Sequence, residues 1–256
     1  KVGFTSRPVF DVQRHMLHPN LGLLVCRQSK EEFAVLATRN ISTHKIVAVY
    51  DRTSLAPLWL YDSDRGHQQA MGKYGRRPSF SDSFLRRFEN SLHSPHSERG
   101  ISAEGNTEEV FYYIYAVFYS PQYRSRYADF LKTDYPHLPL PGSRDLYRNL
   151  ARLGSALVSL HVQESPKLQE QASAFVGGPN SEVERISWSK DTVWIDKAQS
   201  IGVEGVPQGV WDFHVGGYRV CEKWLKDRKG RTLSKDDVAH YQKIVVAISE
   251  TIRLMK

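Results

Sequence analysis

Cysteine is scarce and long apolar runs are missing. The 256 residues hold two cysteines, Cys26 and Cys221, far apart and without metal-ligand spacing. Number alone leaves one disulfide open, but two thiols in a chain this size read as small buried hydrophobes of a reducing compartment. No stretch reaches the roughly 18–20 uncharged apolar residues of a membrane-spanning helix. The longest candidate, Val110 to Tyr119, is short and rich in tyrosine. Internal repeats and low-complexity tracts are absent too. At 40% hydrophobic, 25% charged and 11% aromatic residues, the composition is that of a globular chain. Its length suits one large domain or two modest ones. The first residue is Lys1, not Met, and no signal-peptide pattern follows it. A soluble, cytoplasmic fragment of a longer polypeptide is the expectation.

Catalytic signatures are missing as well. There is no G-x-S-x-G elbow, no phosphate-binding G-x-x-x-x-G-K-[ST] loop and no G-x-G-x-x-G turn. No two prolines are adjacent, so the Asp-Pro-Pro-Tyr tetrapeptide of amino-methyltransferases is excluded; Ser120-Pro121-Gln122-Tyr123 reads as a helix start. His93 and His96 stand three apart in a serine-rich stretch without a third ligand nearby, which makes a poor metal site. His161 lies on a leucine-striped helix and reads as structural. The expectation is no catalytic residue and no metal ligand.

The elements alternate between strand-rich and helical stretches. Leu21–Cys26, Phe33–Ala37, Lys45–Tyr50 and Leu58–Tyr61 read as strands. Residues 62–105 lose periodicity and read as a long mobile loop, its seven basic residues nearly matched by acids. Helices are expected from a cap at Asn106 or Thr107 through the apolar run Val110–Tyr119, from Pro121 to about Asp134 and from Ser143 to about Gln163. The first is apolar on nearly every face and hence buried; the last is striped by Leu146, Leu150, Leu153, Leu157 and Leu160. Strand patterns return at Glu182–Trp188 and Thr192–Asp196. A short helix over 217–229 and a turn at Lys229-Gly230 follow. Ser234 opens the last helix, with Asp237 placed to complete a capping box. The fold class is mixed α+β. Three parts are expected: strand-rich 1–105 with its loop, a helical spacer 106–165, and a second strand-rich part 166–256.

Charge is the informative property. Thirty-five basic against 28 acidic residues give +7. From Gly217 to Lys235 seven basic residues face two acids, Glu222 and Asp227, so this segment supplies most of the excess. Tyr218 and Trp224 interleave with the charges. Ammonium and guanidinium groups neutralise phosphates, and arginine forks or planar rings read exposed base edges. A solvated amphipathic helix and turn would carry the same pattern.

Three blocks carry a family resemblance: Glu109–Ala116 (EVFYYIYA), Ser120–Pro141 (SPQYRSRYADFLKTDYPHLPLP) and Val210–Ser234 (VWDFHVGGYRVCEKWLKDRKGRTLS). With Asn20-Leu-Gly-Leu, Arg27-Gln28 and the closing Glu250-Thr-Ile-Arg-Leu-Met, they resemble the C-terminal target-recognition region of type ISP restriction–modification enzymes. The match runs in order along most of the chain and is weak over 62–105 and 166–182. Such enzymes join a nuclease, a helicase-like ATPase and an N6-adenine methyltransferase to this last region in one bacterial or archaeal polypeptide. The resemblance therefore implies double-stranded DNA as the partner, together with those other domains, and no membrane. It implies S-adenosylmethionine, ATP and Mg for the parent enzyme and no cofactor for this fragment.

Two functions follow. In the first, the chain reads a duplex sequence and aligns DNA for methylation or cleavage elsewhere. Its contacts are Arg219, Lys223, Lys226, Arg228, Lys229 and Arg231, with Arg76 and Arg77 as second choices. In the second, the chain is a coupling scaffold. Most of Phe111, Tyr112, Tyr113, Tyr115, Phe118 and Tyr119 read as core packing, but as an interface they would dock on the methyltransferase or a partner while the basic segment tracks phosphates without sequence preference.

Overall fold

The structure, a computed structural model, describes residues 9–61, 75–92, 107–170, 173–178 and 181–256. The chain forms two compact units, residues 1–158 and 159–256. Both mix helices with small antiparallel sheets, as the α+β pattern implies.

The first unit opens with α1 (Phe10–Gln13) and a 3-10 turn. The strands β1 (Gly22–Cys26), β2 (Val35–Thr38) and β3 (Thr53–Pro57) then form a sheet in the order β2–β1–β3. Leu24 of the central strand stands opposite Leu36 and Leu55. β4 (Trp59–Tyr61) pairs with β5 (Arg76–Pro78), and the helices are α2 (Asp82–Leu92), α3 (Thr107–Tyr119), α4 (Pro121–Arg126), α5 (Ala128–Leu131) and α6 (Arg144–His161).

Helix α3 explains its own tyrosines. Phe111, Tyr113, Tyr115, Phe118 and Tyr119 are all buried. Tyr115 and Tyr119 reach the open edge of β2: the Ala37 amide donates to Tyr115 Oη at 3.1 Å, and Tyr119 Oη donates to the Val35 carbonyl at 2.9 Å. Among the described residues those backbone groups have no strand partner on that side, and leaving them dry and unpaired would be costly. Tyr113 donates to Pro139 O in the same way, and Tyr123 to His137 O, each at 2.8 Å. The rings fill the core while their hydroxyls close backbone groups. Five of the six aromatics are thus core residues, and Tyr112 is half-buried.

Four expectations need correction here. Lys45–Tyr50 is not a strand, because its amides bond side chains: Ile46 and Val47 donate to Thr53 Oγ1, and Val49 donates to the Glu31 carboxylate. Within 62–105, residues 75–92 hold β5 and α2; the rest of that stretch, with His93 and His96, lies outside the described residues. The helix expected from Pro121 to Asp134 is divided at Tyr127, which leaves helical geometry at φ −110°, ψ 18°. In α6 the expected stripe is buried at Leu157 and Leu160, alongside Tyr147, Ala151 and Val158, but Leu150 and Leu153 are half-buried and Leu146 is exposed.

The second unit is built on a four-stranded sheet, β6 (Ala174–Val176), β7 (Ser187–Ser189), β8 (Thr192–Trp194) and β9 (Gly202–Glu204), in the order β6–β9–β8–β7. Val203 lies between Phe175 and Val193. Of the strand pattern over Glu182–Trp188, only the end joins this sheet. Earlier, Glu182 makes an isolated bridge to Thr232. α7 (Gln208–Trp211), the hairpin β10 (His214–Val215) and β11 (Tyr218–Arg219), α8 (Val220–Lys226) and α9 (Lys235–Leu254) complete the unit. Tyr241, Val245 and Ile248 of α9 recur at helical spacing and enter one core with Val193, Val203, Trp211, Cys221 and Leu225. Ser234 and Asp237 form the expected capping box. Both cysteines are buried and free.

Candidate nucleic-acid interface

The basic segment occupies a hairpin, a helix and a turn of the second unit. β10 and β11 pair His214 with Arg219 and Val215 with Tyr218. Gly216 turns this hairpin at φ +57°, a conformation that glycine adopts at little cost. Cys221 and Leu225 bury one side of α8, which leaves Lys223 and Lys226 on its outer side.

Four of the six expected contact residues in this segment already hold carboxylates. Arg219 Nη2 lies 3.2 Å from Asp212, and its guanidinium is 5.3 Å from the centre of the Trp211 ring. Lys223 pairs with Asp227, and Lys226 with Glu222 at 2.8 Å, each one helical turn apart. Arg228 is held most tightly. Its Nε donates to Asp237 at 3.1 Å, its Nη1 donates to Trp224 O at 3.2 Å, and its guanidinium lies 3.5 Å from the centre of the Trp224 ring. A hydrogen bond from the Ser234 amide, and then the Arg228 guanidinium, hold the Asp237 carboxyl below its usual range. Arg228 therefore ties the end of α8 to the start of α9.

Lys229, Arg231 and the adjoining Lys235 are different. Each is exposed, and among the described residues none of them has an ion pair. Their backbone is nonetheless fixed. Gly230 turns the chain at φ +76°, its amide donates to Val183 O at 2.8 Å, and the Val183 amide donates to Arg231 O at 3.0 Å. A pinned turn presenting unpaired cations is suited to phosphate contact.

Arg76 and Arg77 belong to β5 in the first unit. Arg76 is half-buried and packs 4.1 Å from the centre of the Trp59 ring, whereas Arg77, next along the strand, is exposed. The same unit holds a cleft of about 460 Å³ whose lining includes Arg27, Asp51, Arg52 and Tyr135. Arg27 is already paired with Asp134 there, and Tyr135 Oη is 2.9 Å from Ser54 Oγ. No group of three or more His, Cys, Asp or Glu side chains suited to a metal occurs among the described residues. His161 is structural in its surroundings, its Nε2 lying 2.8 Å from Thr251 Oγ1.

Residues 2–256 match the family described as the Type ISP C-terminal specificity domain. The chain belongs to that family. No curated protein matches it. The specificity domain is similar in fold to three solved structures. One is a nuclease-deletion mutant of the Type ISP restriction-modification enzyme LlaGI in complex with a DNA substrate mimic. It has 19% identity and a TM-score of 0.62, with 92% of this chain and 21% of that one covered. The second is the ATP-dependent Type ISP restriction-modification enzyme LlaBIII bound to DNA, at 16% identity and TM-score 0.65, covering 92% and 16%. The third is a DrdV–DNA complex, at 18% identity and TM-score 0.68, covering 93% and 24%. The specificity domain thus spans about a quarter or less of the length of each. Among its described residues, no helix is long and apolar enough to cross a membrane.

Sequence reasoning passed over one polar feature of this domain, the connection between β8 and β9. Its only sequence signal is an aspartate opening a run of small and polar residues, Asp196-Lys-Ala-Gln-Ser200.

Proposed function

We propose that this specificity domain binds double-stranded DNA and reads a short sequence in it, aligning the duplex for chemistry carried out elsewhere in a longer polypeptide. The supporting observation is the pinned turn with Lys229, Arg231 and Lys235 exposed and without an ion pair among the described residues, in a domain whose family is defined by specificity. Phosphate contacts from this turn set the register of the protein on the duplex, and base-edge contacts supply the discrimination. Lys223 and Lys226 join them: exposed ion pairs are worth at most about 1 kcal/mol, so exchanging a carboxylate for a phosphate costs little. Arg219 and Arg228 contribute mainly by holding the hairpin and the helix junction in place. Arg77, with Arg76 behind it, is a secondary contact.

The chemistry belongs to the parent. A methyltransferase acting on an adenine must take that base out of the stack, and a duplex held in fixed register is what makes the extrusion site-specific. S-adenosylmethionine, ATP and Mg are accordingly proposed for methyltransferase, helicase-like and nuclease domains of the same bacterial or archaeal polypeptide. None of the three is assigned to residues of this chain.

Duplex binding measured across a salt series tests the contact surface. Replacing Lys229, Arg231 and Lys235 together by alanine should reduce the slope of log affinity against log salt by about 2.7, at roughly 0.9 per lost phosphate contact. An unchanged slope would remove the turn from the interface.

A further inference from the structure

The β8–β9 connection is built more firmly than a surface loop requires. Asp196 is 8% exposed, and its carboxylate accepts hydrogen bonds from the Ser200 amide (3.0 Å), the Ile201 amide (3.1 Å) and the Ser200 hydroxyl (2.8 Å). Burial pushes this carboxyl up, but those hydrogen bonds hold it below its usual range, so it stays ionised near neutral pH. Around this clamp Lys197, Ala198, Gln199 and Ser200 are all exposed. Gln199 sits at φ +54°, a left-handed conformation that non-glycine residues adopt rarely and at a cost. Its amide makes one long hydrogen bond, 3.4 Å to Ser187 Oγ, which an incoming partner displaces easily.

The loop also adjoins the basic turn. Residues 182–185 run between the two: Val183 is bonded to Gly230 and Arg231 on one side, and the Glu184 and Arg185 amides donate to Ile195 O on the other, at 2.9 and 3.1 Å. Exposed side chains along this path include Lys229, Arg231, Arg185 and Lys197, but also Glu182 and Glu184. Two carboxylates make the surface ill-suited to tracking a phosphate ridge throughout. A groove floor is a better match, because base edges carry both donors and acceptors. A glutamine amide pairs with adenine through N6 and N7, and a glutamate accepts from the cytosine amino group.

We infer that the loop at 196–200 is a base-reading element of this domain, with Gln199 contacting a base edge in the major groove and Lys197 the flanking phosphate. The inference rests on the proposed recognition of duplex sequence and names a residue that performs it. Gln199→Ala and Gln199→Gly remove the amide; the glycine also relieves the left-handed backbone, so loss of function in both cannot be blamed on strain. Both variants should keep the melting temperature of the parent chain and its affinity for a scrambled duplex. On the duplex preferred by the unaltered protein, each should lose on the order of tenfold or more in affinity, together with discrimination at one base pair. Unaltered discrimination at every position would overturn the inference while leaving the recognition reading intact. If the unaltered protein prefers no duplex, the recognition reading falls, and this inference falls with it.

Discussion

Gly154→Ala is expected to destabilise the first unit by about 2–3 kcal/mol, although alanine is the better helix former by about 1 kcal/mol. The reason is backbone contact. A Cβ at residue 154 of α6 would lie 1.8 Å from the Tyr112 carbonyl oxygen and 2.6 Å from its carbonyl carbon in α3. A flexible side chain can move out of such a position, but the backbone of a buried helix cannot without shifting the tyrosines that close the edge of β2. Chemical denaturation measures the balance. A net gain in stability would mean that α3 and α6 are not so closely packed. The exposed Ala156 in the same helix is the control: Ala156→Gly should cost only the intrinsic propensity, about 1 kcal/mol.

Arg228→Ala should cost about 2–3 kcal/mol, whereas Lys229→Ala, one residue later, should change stability by no more than about 0.5 kcal/mol. The Arg228 and Asp237 side chains are only 24% and 18% exposed. Removing the guanidinium strands a largely buried carboxylate and gives up the contact with the Trp224 ring. The penalty should also depend on pH. Asp237 titrates below its usual 3.8 in the folded chain, so the stability it contributes is fully present above about pH 4. It is lost as pH falls through the lower folded value. The difference between parent and Arg228→Ala should therefore shrink as the pH falls below about 4. A difference independent of pH would place the effect in the ring contact alone. For mapping DNA contacts, Arg228 is the wrong probe, since its loss disturbs the helix junction from which Lys229 and Arg231 project.

Local signals were legible in the sequence. Ser120 followed by proline, the Ser234–Asp237 box, the Lys229-Gly230 turn and the all-round apolar α3 each depend on a few neighbouring residues. Features set by distant partners were not. Lys45–Tyr50 has a strand's composition, but Thr53 and Glu31 take its amides, and pairing of that kind leaves no periodic trace. The leucine repeat in α6 marked the buried side at Leu157 and Leu160 but not in the first turns, where Tyr147 and Ala151 pack inward and Leu146 is exposed. At the candidate interface the basic cluster was plain, but its division into occupied and unoccupied cations was only half readable. Lys223–Asp227 and Lys226–Glu222 follow from four-residue spacing. Arg228–Asp237 joins two helices across a turn, and Arg219–Asp212 closes a hairpin. The Asp196 clamp has neither the charge nor the aromatic content that marks 211–235, so little in the local sequence points to it.

Selection from random duplexes at about 150 mM salt tests sequence reading by this domain most directly, since phosphate contacts alone bind weakly there. A domain that reads DNA sequence should enrich one short asymmetric motif. Retention of every duplex alike, or of none, would contradict it.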